Sequence, residues 1–274
     1  MTVKVSFQLV PQHGDMKPMR DAWVKAEALG VDRIYTADHF HTQVFSDDVF
    51  EKAAETKISS GKNFEAMTIQ AAMAATTSRV EIGCIVHANS YRNPNLTADM
   101  ARTIDHISNG RFVLGMGAGY MQPDYDEYGY EFGTAKTRML ALQRDMPIIR
   151  ARFEKLNPKP TRHIPLLIAA MGEKIGMRIV AEHADIWHIY GPAEKIAAKY
   201  DTLKSICREI GRDPAEIEMT TNYVPNMFKS ETAHETPDTY LKLGAGEICI
   251  LGLGPDWDLG LLKETLQWRK NLKK

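Results

Sequence analysis

The chain is poor in cysteine, carries almost no net charge and has no long apolar run, and each of these absences removes a class of function. Its 274 residues include three cysteines, Cys84, Cys207 and Cys249, far apart and without a CxxC pair. That pattern argues against a disulfide framework or a structural zinc site and for a reducing compartment, with cytoplasm as the expected location. No stretch approaches the roughly 20 apolar residues of a membrane-spanning helix. The opening MTVKVSF alternates like a strand instead of resembling the apolar core of a signal peptide. Lys and Arg total 34 against 35 Asp and Glu, a net charge of -1. No basic surplus therefore favours nucleic acid or an anionic membrane as a partner. There is no internal repeat, no low-complexity tract and no Pro/Ser-rich linker, so we expect one domain over residues 1–274.

What is present is an alternation of short apolar strands with amphipathic helices. The first strand spans Val3 to Val10, with Val3, Val5 and Phe7 in period two and, in a barrel, expected inside it. A helix follows from an N-cap near Asp15, carries Met16, Met19, Trp23 and Ala26 on one stripe, and stops at Gly30. The second strand covers Asp32 to Thr36, and a helix covers about Phe64 to Thr77. Strands are then expected over Val80–Val86, Arg111–Gly117, Ile164–Ala169, Asp185–His188, Ile217–Val224 and Glu247–Leu251. Ile196, Tyr200, Leu203, Cys207 and Ile210 mark a buried helix face closed by Gly211, and a last helix runs from Trp257 to Trp268. Eight strand–helix units in a chain of this length predict an α/β fold, a single (β/α)8 TIM barrel with a long insertion after strand 2. A doubly wound sheet is the alternative. In a barrel the function lies on the loops that follow the strands.

Those loops hold the candidate chemistry. Asp38-His39 follows the second strand directly. A histidine there can exchange a proton near neutral pH, and the adjacent carboxylate can orient it or serve the backbone. His39-Phe40-His41 has the HxH spacing of metal-dependent hydrolases, with His188 as a further ligand. The fifth strand, however, ends in Ala169-Ala170-Met171-Gly172 with no ligand, so no metal is expected. GMGAGY (Gly115, Gly117, Gly119) lacks the spacing of a dinucleotide loop, and Tyr120-Met121-Gln122-Pro123 does not read as a helix start. Small residues from Ala169 to Gly172, then Glu173 and Lys174, predict a strand end that passes at once into a helix, whose free amides can bind phosphate.

Ordered along the chain, these segments resemble the luciferase-like monooxygenase family, and within it the F420-dependent oxidoreductase branch. The resemblance is carried by DHF (Asp38–Phe40), by VEIGCIVHANSYRNPNLTADMARTIDHISNGRFVLGMGAGY (Val80–Tyr120), by DYDEYGYEFGT (Asp124–Thr134) and by IPLLIAAMGEKIGMRIVAEHADIWH (Ile164–His188). It covers about the first three-quarters of the chain. It implies a barrel whose mouth holds a flavin or deazaflavin ring. A non-prolyl cis peptide in Cys84-Ile85-Val86 would prop the ring, and Asn89 and Gly119 would border it. Ala169, Ala170, Met171, Gly172 and Glu173 would hold its phosphate, and His39, with Asp38, would stand at its reactive edge.

Two features depart from the family pattern: residues 41–63 form a long loop, and His87 stands where a small polar residue is expected. The implied reaction is hydride transfer between reduced coenzyme F420 and a small organic substrate with a C=C, C=N or C=O bond, His39 handling the proton. The alternative is an FMN-dependent monooxygenase fed by a separate reductase. A metal-dependent hydrolase or a non-catalytic flavin-binding barrel would be a further reading. The resemblance also implies a homodimer.

Overall fold

The computed structural model describes residues 3–43, 58–225 and 235–272. Among them, nine parallel strands follow the order β5-β2-β1-β11-β10-β9-β8-β7-β6. They are β1 (Lys4–Leu9), β2 (Arg33–Thr36), β5 (Glu81–Cys84), β6 (His87–Ala88), β7 (Leu114–Gly117), β8 (Leu166–Ala169), β9 (Ile186–His188), β10 (Glu218–Tyr223) and β11 (Glu247–Gly252). A separate hairpin, β3 (Thr42–Gln43) with β4 (Ile58–Ser59), belongs to the insertion after β2. Residues 44–57 of that insertion lie outside the described residues. The two ends of the strand order, β5 and β6, are halves of one strand interrupted at Ile85-Val86. A bridge from Ile82 to Phe112 joins the first half to the run into β7, and this closes the ring as eight staves. The TIM barrel is therefore the fold, and the expected continuous strand Val80–Val86 is in fact broken where its chain bulges.

Helices α1 (Met16–Leu29), α2 (Ala66–Thr76), α3 (Pro94–Ile107), α4 (Gln122–Tyr128), α5 (Ala135–Lys155), α6 (Gly176–His183), α7 (Ala193–Ile210), α8 (Pro237–Lys242) and α9 (Gly260–Asn271) follow the strands. In α1 the buried residues Met19, Ala22, Trp23 and Ala26 recur at helical spacing, and Gly30 ends the helix with a φ of 99°. Two expectations fail here. The residues after Tyr120 do start a helix: Pro123 sits in the first turn of α4, where its missing N–H leaves no hydrogen bond unmade. After β8, six residues intervene before α6, so strand does not pass at once into helix.

Side-chain alternation sorts the strands into an outer and an inner face. Val5, Phe7 and Leu9 pack outward with Met19 and Trp23 in the main apolar cluster, which lies between strands and helices. The expectation that these residues fill the barrel is thus reversed: the larger apolar area in such a fold is where helices cover the sheet. The inner face is layered along the axis. At the N-terminal ends of the strands Arg33, Glu81, Glu218 and Glu247 form an ion-paired layer. Above it Tyr35, Val113, Leu167, Ile186 and Cys249 form a small apolar plug. Above the plug, at the C-terminal ends, the interior opens. Among the described residues no helix is long and apolar enough to cross a membrane.

Candidate active site

The open end is a cavity of about 310 Å³. Small and apolar residues from six strand ends make its walls, among them Val10, Ala37, Ala88, Ala118, Ala169, Ala170 and Leu251, with polar groups at a few points. That is the usual composition of a pocket for an aromatic ligand with polar edges. One wall is the bulge between β5 and β6, where the Ile85-Val86 peptide is cis and the carbonyl oxygen of Ile85 accepts from Gln8 Nε2 at 2.9 Å. Gly117 backs this bulge closely: a Cβ there would lie 2.5 Å from Val86 Cγ2. Gly119, with a φ of 78°, leaves no room beside the Tyr125 hydroxyl.

His39 stands on the rim, and its partner is Asp124 of α4. His39 Nδ1 lies 2.9 Å from Asp124 Oδ2, and His41 Nδ1 lies 2.8 Å from Oδ1. The same carboxylate accepts from the backbone amides of Phe40 (3.1 Å) and His41 (3.0 Å) and from the Tyr91 hydroxyl (2.8 Å). Burial would raise the Asp124 carboxyl, but His39, His41 and Tyr91 outweigh it and hold it below the usual range. On the other side of the ring, His39 Nε2 lies 3.3 Å from the Tyr120 hydroxyl, which accepts from Gln43 Nε2 at 2.6 Å. Burial pushes Tyr120 up to about 12, with Gln43 opposing, so it stays a neutral phenol at physiological pH.

Asp38 does not serve His39. Its carboxylate takes two hydrogen bonds from Arg92, at 2.7 and 2.9 Å, and one from the Ala88 amide. Burial works against ionisation there, yet Arg92 and then His87 hold Asp38 well below the usual range. His87, whose role the sequence left open, is buried with Nε2 3.1 Å from Gln70 Oε1. Two other residues expected at the cofactor lie off the cavity lining. Cys84 is buried behind the wall and does not line the cavity, and Asn89 turns its amide to Asp145 at 2.7 Å. Ile85, Val86, Gly119, Ala169, Ala170 and Met171 do line it.

Met139 and Met171 are shared with a second, more open depression of about 470 Å³, which holds Gly172, Glu173, Gly176 and the lysines Lys136, Lys174 and Lys199. Lys199 pairs with Glu173 at 2.7 Å. A Cβ on Gly172 would have Gly176 N as its nearest neighbour, at 3.9 Å, and would occupy the space in front of the first amide of α6. A phosphate-ended ligand with its ring in the first cavity fits this pair of spaces.

Sequence reasoning weighed His188 only as a metal ligand and missed Gln8 and Asn222; all three line the cavity, with Asn222 Nδ2 donating to Gln8 Oε1 at 3.1 Å. Inward alternation along β1, β9 and β10 was the available signal. Burial pushes His188 down to about 4, so it is neutral at physiological pH. Among the described residues no group of three His, Cys, Asp or Glu side chains is placed to hold a metal.

Comparison with known proteins agrees with this geometry. The sequence profile of the luciferase-like monooxygenase family matches residues 3–233. Among curated proteins, the pyrimidine monooxygenase RutA of Variovorax paradoxus is 27% identical over 217 residues, 70% of this chain and 56% of that protein. RutA of Allorhizobium ampelinum is 31% identical over 141 residues, 45% and 38% respectively. The chain spans about half the length of the curated relatives it matches. Among solved structures, an F420-dependent secondary alcohol dehydrogenase in complex with an F420-acetone adduct superposes with a TM-score of 0.75 at 16% identity, covering 96% of this chain and 98% of that one. The EDTA monooxygenase of Chelativorans superposes at 0.74 with 11% identity, covering 100% and 95%.

Proposed function

The chain belongs to the luciferase-like monooxygenase family, and from that premise we propose that it is an F420-dependent oxidoreductase acting on a small organic substrate. The observation that carries the choice of cofactor is the lysine-flanked second depression. Lys136, Lys174 and Lys199 surround space beyond the Gly172–Gly176 turn, which suits a ligand whose anionic tail continues past its first phosphate. FMN ends at that phosphate and leaves such space without a use. Bound there, the deazaflavin would supply a two-electron hydride donor or acceptor.

The chain's own work is positioning, water exclusion and proton transfer. The cis bulge and the small side chains of the walls hold a flat ring by shape, and the phosphate turn fixes its other end. His39 faces the substrate space with Nε2, the nitrogen left over once Nδ1 is engaged by Asp124, and takes or gives the proton of the substrate's polar group. Gln8, which also holds the bulge through the Ile85 carbonyl, His188 and Asn222 line the same cavity and are the polar groups available to orient the substrate. Proposed with this reading are a cytoplasmic homodimer and a separate enzyme that reduces the cofactor. The likeness to the RutA monooxygenases favours a second reading, an FMN-dependent monooxygenase using the same cavity.

Anaerobic titration of the purified chain with F420 and with FMN separates the two. We expect F420 to bind more tightly, and Gly172→Val to weaken it at least about tenfold, roughly 1.4 kcal/mol, with the melting temperature unchanged. Tighter binding of FMN would favour the monooxygenase, and unchanged affinity in the variant would place the phosphate elsewhere.

A further inference from the structure

Asp124 was not a candidate from sequence, yet it gathers more hydrogen bonds than any other side chain at the mouth. It is fully buried, and its two oxygens have different neighbours. Oδ1 accepts from the amides of Phe40 and His41 and faces His41 Nδ1, whereas Oδ2 faces His39 Nδ1 and accepts from the Tyr91 hydroxyl. We infer that Asp124 is a positioning residue that fixes the tautomer of His39, and so decides which nitrogen exchanges a proton with substrate. The inference deepens the proton-transfer role given to His39 above and rests on it for its functional half.

An ionised carboxylate only accepts, so the imidazole nitrogen facing Oδ2 carries a proton whether His39 is neutral or cationic. Neutral His39 is then the Nδ1–H tautomer, with a lone pair on Nε2. Tyr120 completes the arrangement, because its hydroxyl oxygen accepts from Gln43 and leaves its own proton free to point at Nε2. Proton exchange at His39 is thereby confined to Nε2, as a base when the ring is neutral and as an acid when it is charged.

The unequal surroundings of the two oxygens make Asp124→Asn informative. Three donors, two of them backbone amides that cannot reverse, hold the Oδ1 position, so the carboxamide oxygen must take it. The NH2 group then falls opposite His39 Nδ1 and donates to it. The neutral ring is forced into the Nε2–H tautomer and its lone pair is turned away from substrate. The Tyr91 hydroxyl adapts by rotating.

Nitrogen-15 NMR of histidine-labelled full-length chain, near neutral pH and without cofactor, reads the tautomer directly, with His39→Gln assigning the signal. We expect Nδ1–H in the wild type, Nε2–H in Asp124→Asn, and the wild-type tautomer retained in Tyr91→Phe. Single turnover in Asp124→Asn should fall by about 10²–10⁴-fold, the scale of a misdirected acid–base group, with cofactor affinity changed less than about threefold. A wild-type His39 in the Nε2–H form would overturn the inference even if Asp124→Asn fails to fold. So would an unchanged tautomer in the variant, and a reversed tautomer with full turnover would overturn the positioning role. The tautomer is read with no cofactor or substrate present, so this result stands apart from the identity of the reaction.

Discussion

The two ends of the barrel bury carboxylates in opposite company. At the N-terminal end Glu247, fully buried, meets the guanidinium of Arg33 at 2.5 Å, and Arg33 also reaches Glu81 and Glu218 at 2.7 and 3.0 Å. Lys4 adds to Glu218 at 2.6 Å. Against burial, the surrounding carboxylates hold the Arg33 guanidinium above its usual range, so it stays charged, and the plug of Tyr35, Val113, Leu167, Ile186 and Cys249 separates this layer from the cavity. At the C-terminal end Asp124 meets no such cation but two imidazoles and a phenol, the Tyr91 proton being held on its oxygen by burial and by Asp124 itself. A carboxylate paired with arginine holds a structure together, whereas one paired with histidine can take part in chemistry. The same contrast recurs within the mouth, where Asp38 is committed to Arg92 and Asp124 to His39 and His41. The adjacent carboxylate in the DHF motif is therefore part of the frame.

The contrast can be broken at its rigid end first. Arg33→Met leaves Glu247 buried without its cation, and removing one partner of such a pair costs about 3–5 kcal/mol. We expect a loss of that size in denaturant unfolding, while folded protein binds cofactor as the wild type does, because the plug lies between. A stability loss below about 1 kcal/mol, or a matching loss of affinity, would mean that the two ends are not independent.

A smaller effect sharpens the mouth. His188 is buried and its folded-state value is pushed down to about 4, from 6.5 for a free histidine. The unfolded chain then binds a proton that the native state refuses, so stability declines as pH falls from about 6.5 and levels off near pH 4. The decline attributable to His188 is on the order of 3 kcal/mol. Midpoints of urea unfolding measured across that window should show it, and His188→Gln should flatten the slope. An unchanged slope in the variant would assign it to other groups.

How legible these ends were in sequence depends on range. The barrel, its strand ends and His39 follow from local patterns: period-two strands, helix stripes closed by Gly30 and Gly211, and a histidine directly after a strand. The partners do not. Asp124 is 85 residues from His39, on a short helix that carries Pro123 in its first turn. Arg92 is 54 residues from Asp38. Nothing local reports which of two neighbouring carboxylates a histidine will meet once the barrel closes. Cys84 and Asn89 lie off the cavity lining for different reasons: Cys84 follows Val80 and Ile82 onto the outward face by simple period-two alternation, whereas Asn89 lies beyond the break and donates to Asp145, a partner no local pattern reports.

The central claim is that the mouth works through His39 as a proton-transfer group, and it is tested most directly by single-turnover reoxidation of bound, reduced cofactor by a carbonyl acceptor. His39→Gln, compared with wild type at saturating cofactor and with thermal melts alongside, should bind cofactor within about threefold and melt with the wild type. It should transfer hydride about 10²–10⁴-fold more slowly. A stable His39→Gln protein that transfers hydride at the wild-type rate would contradict the account.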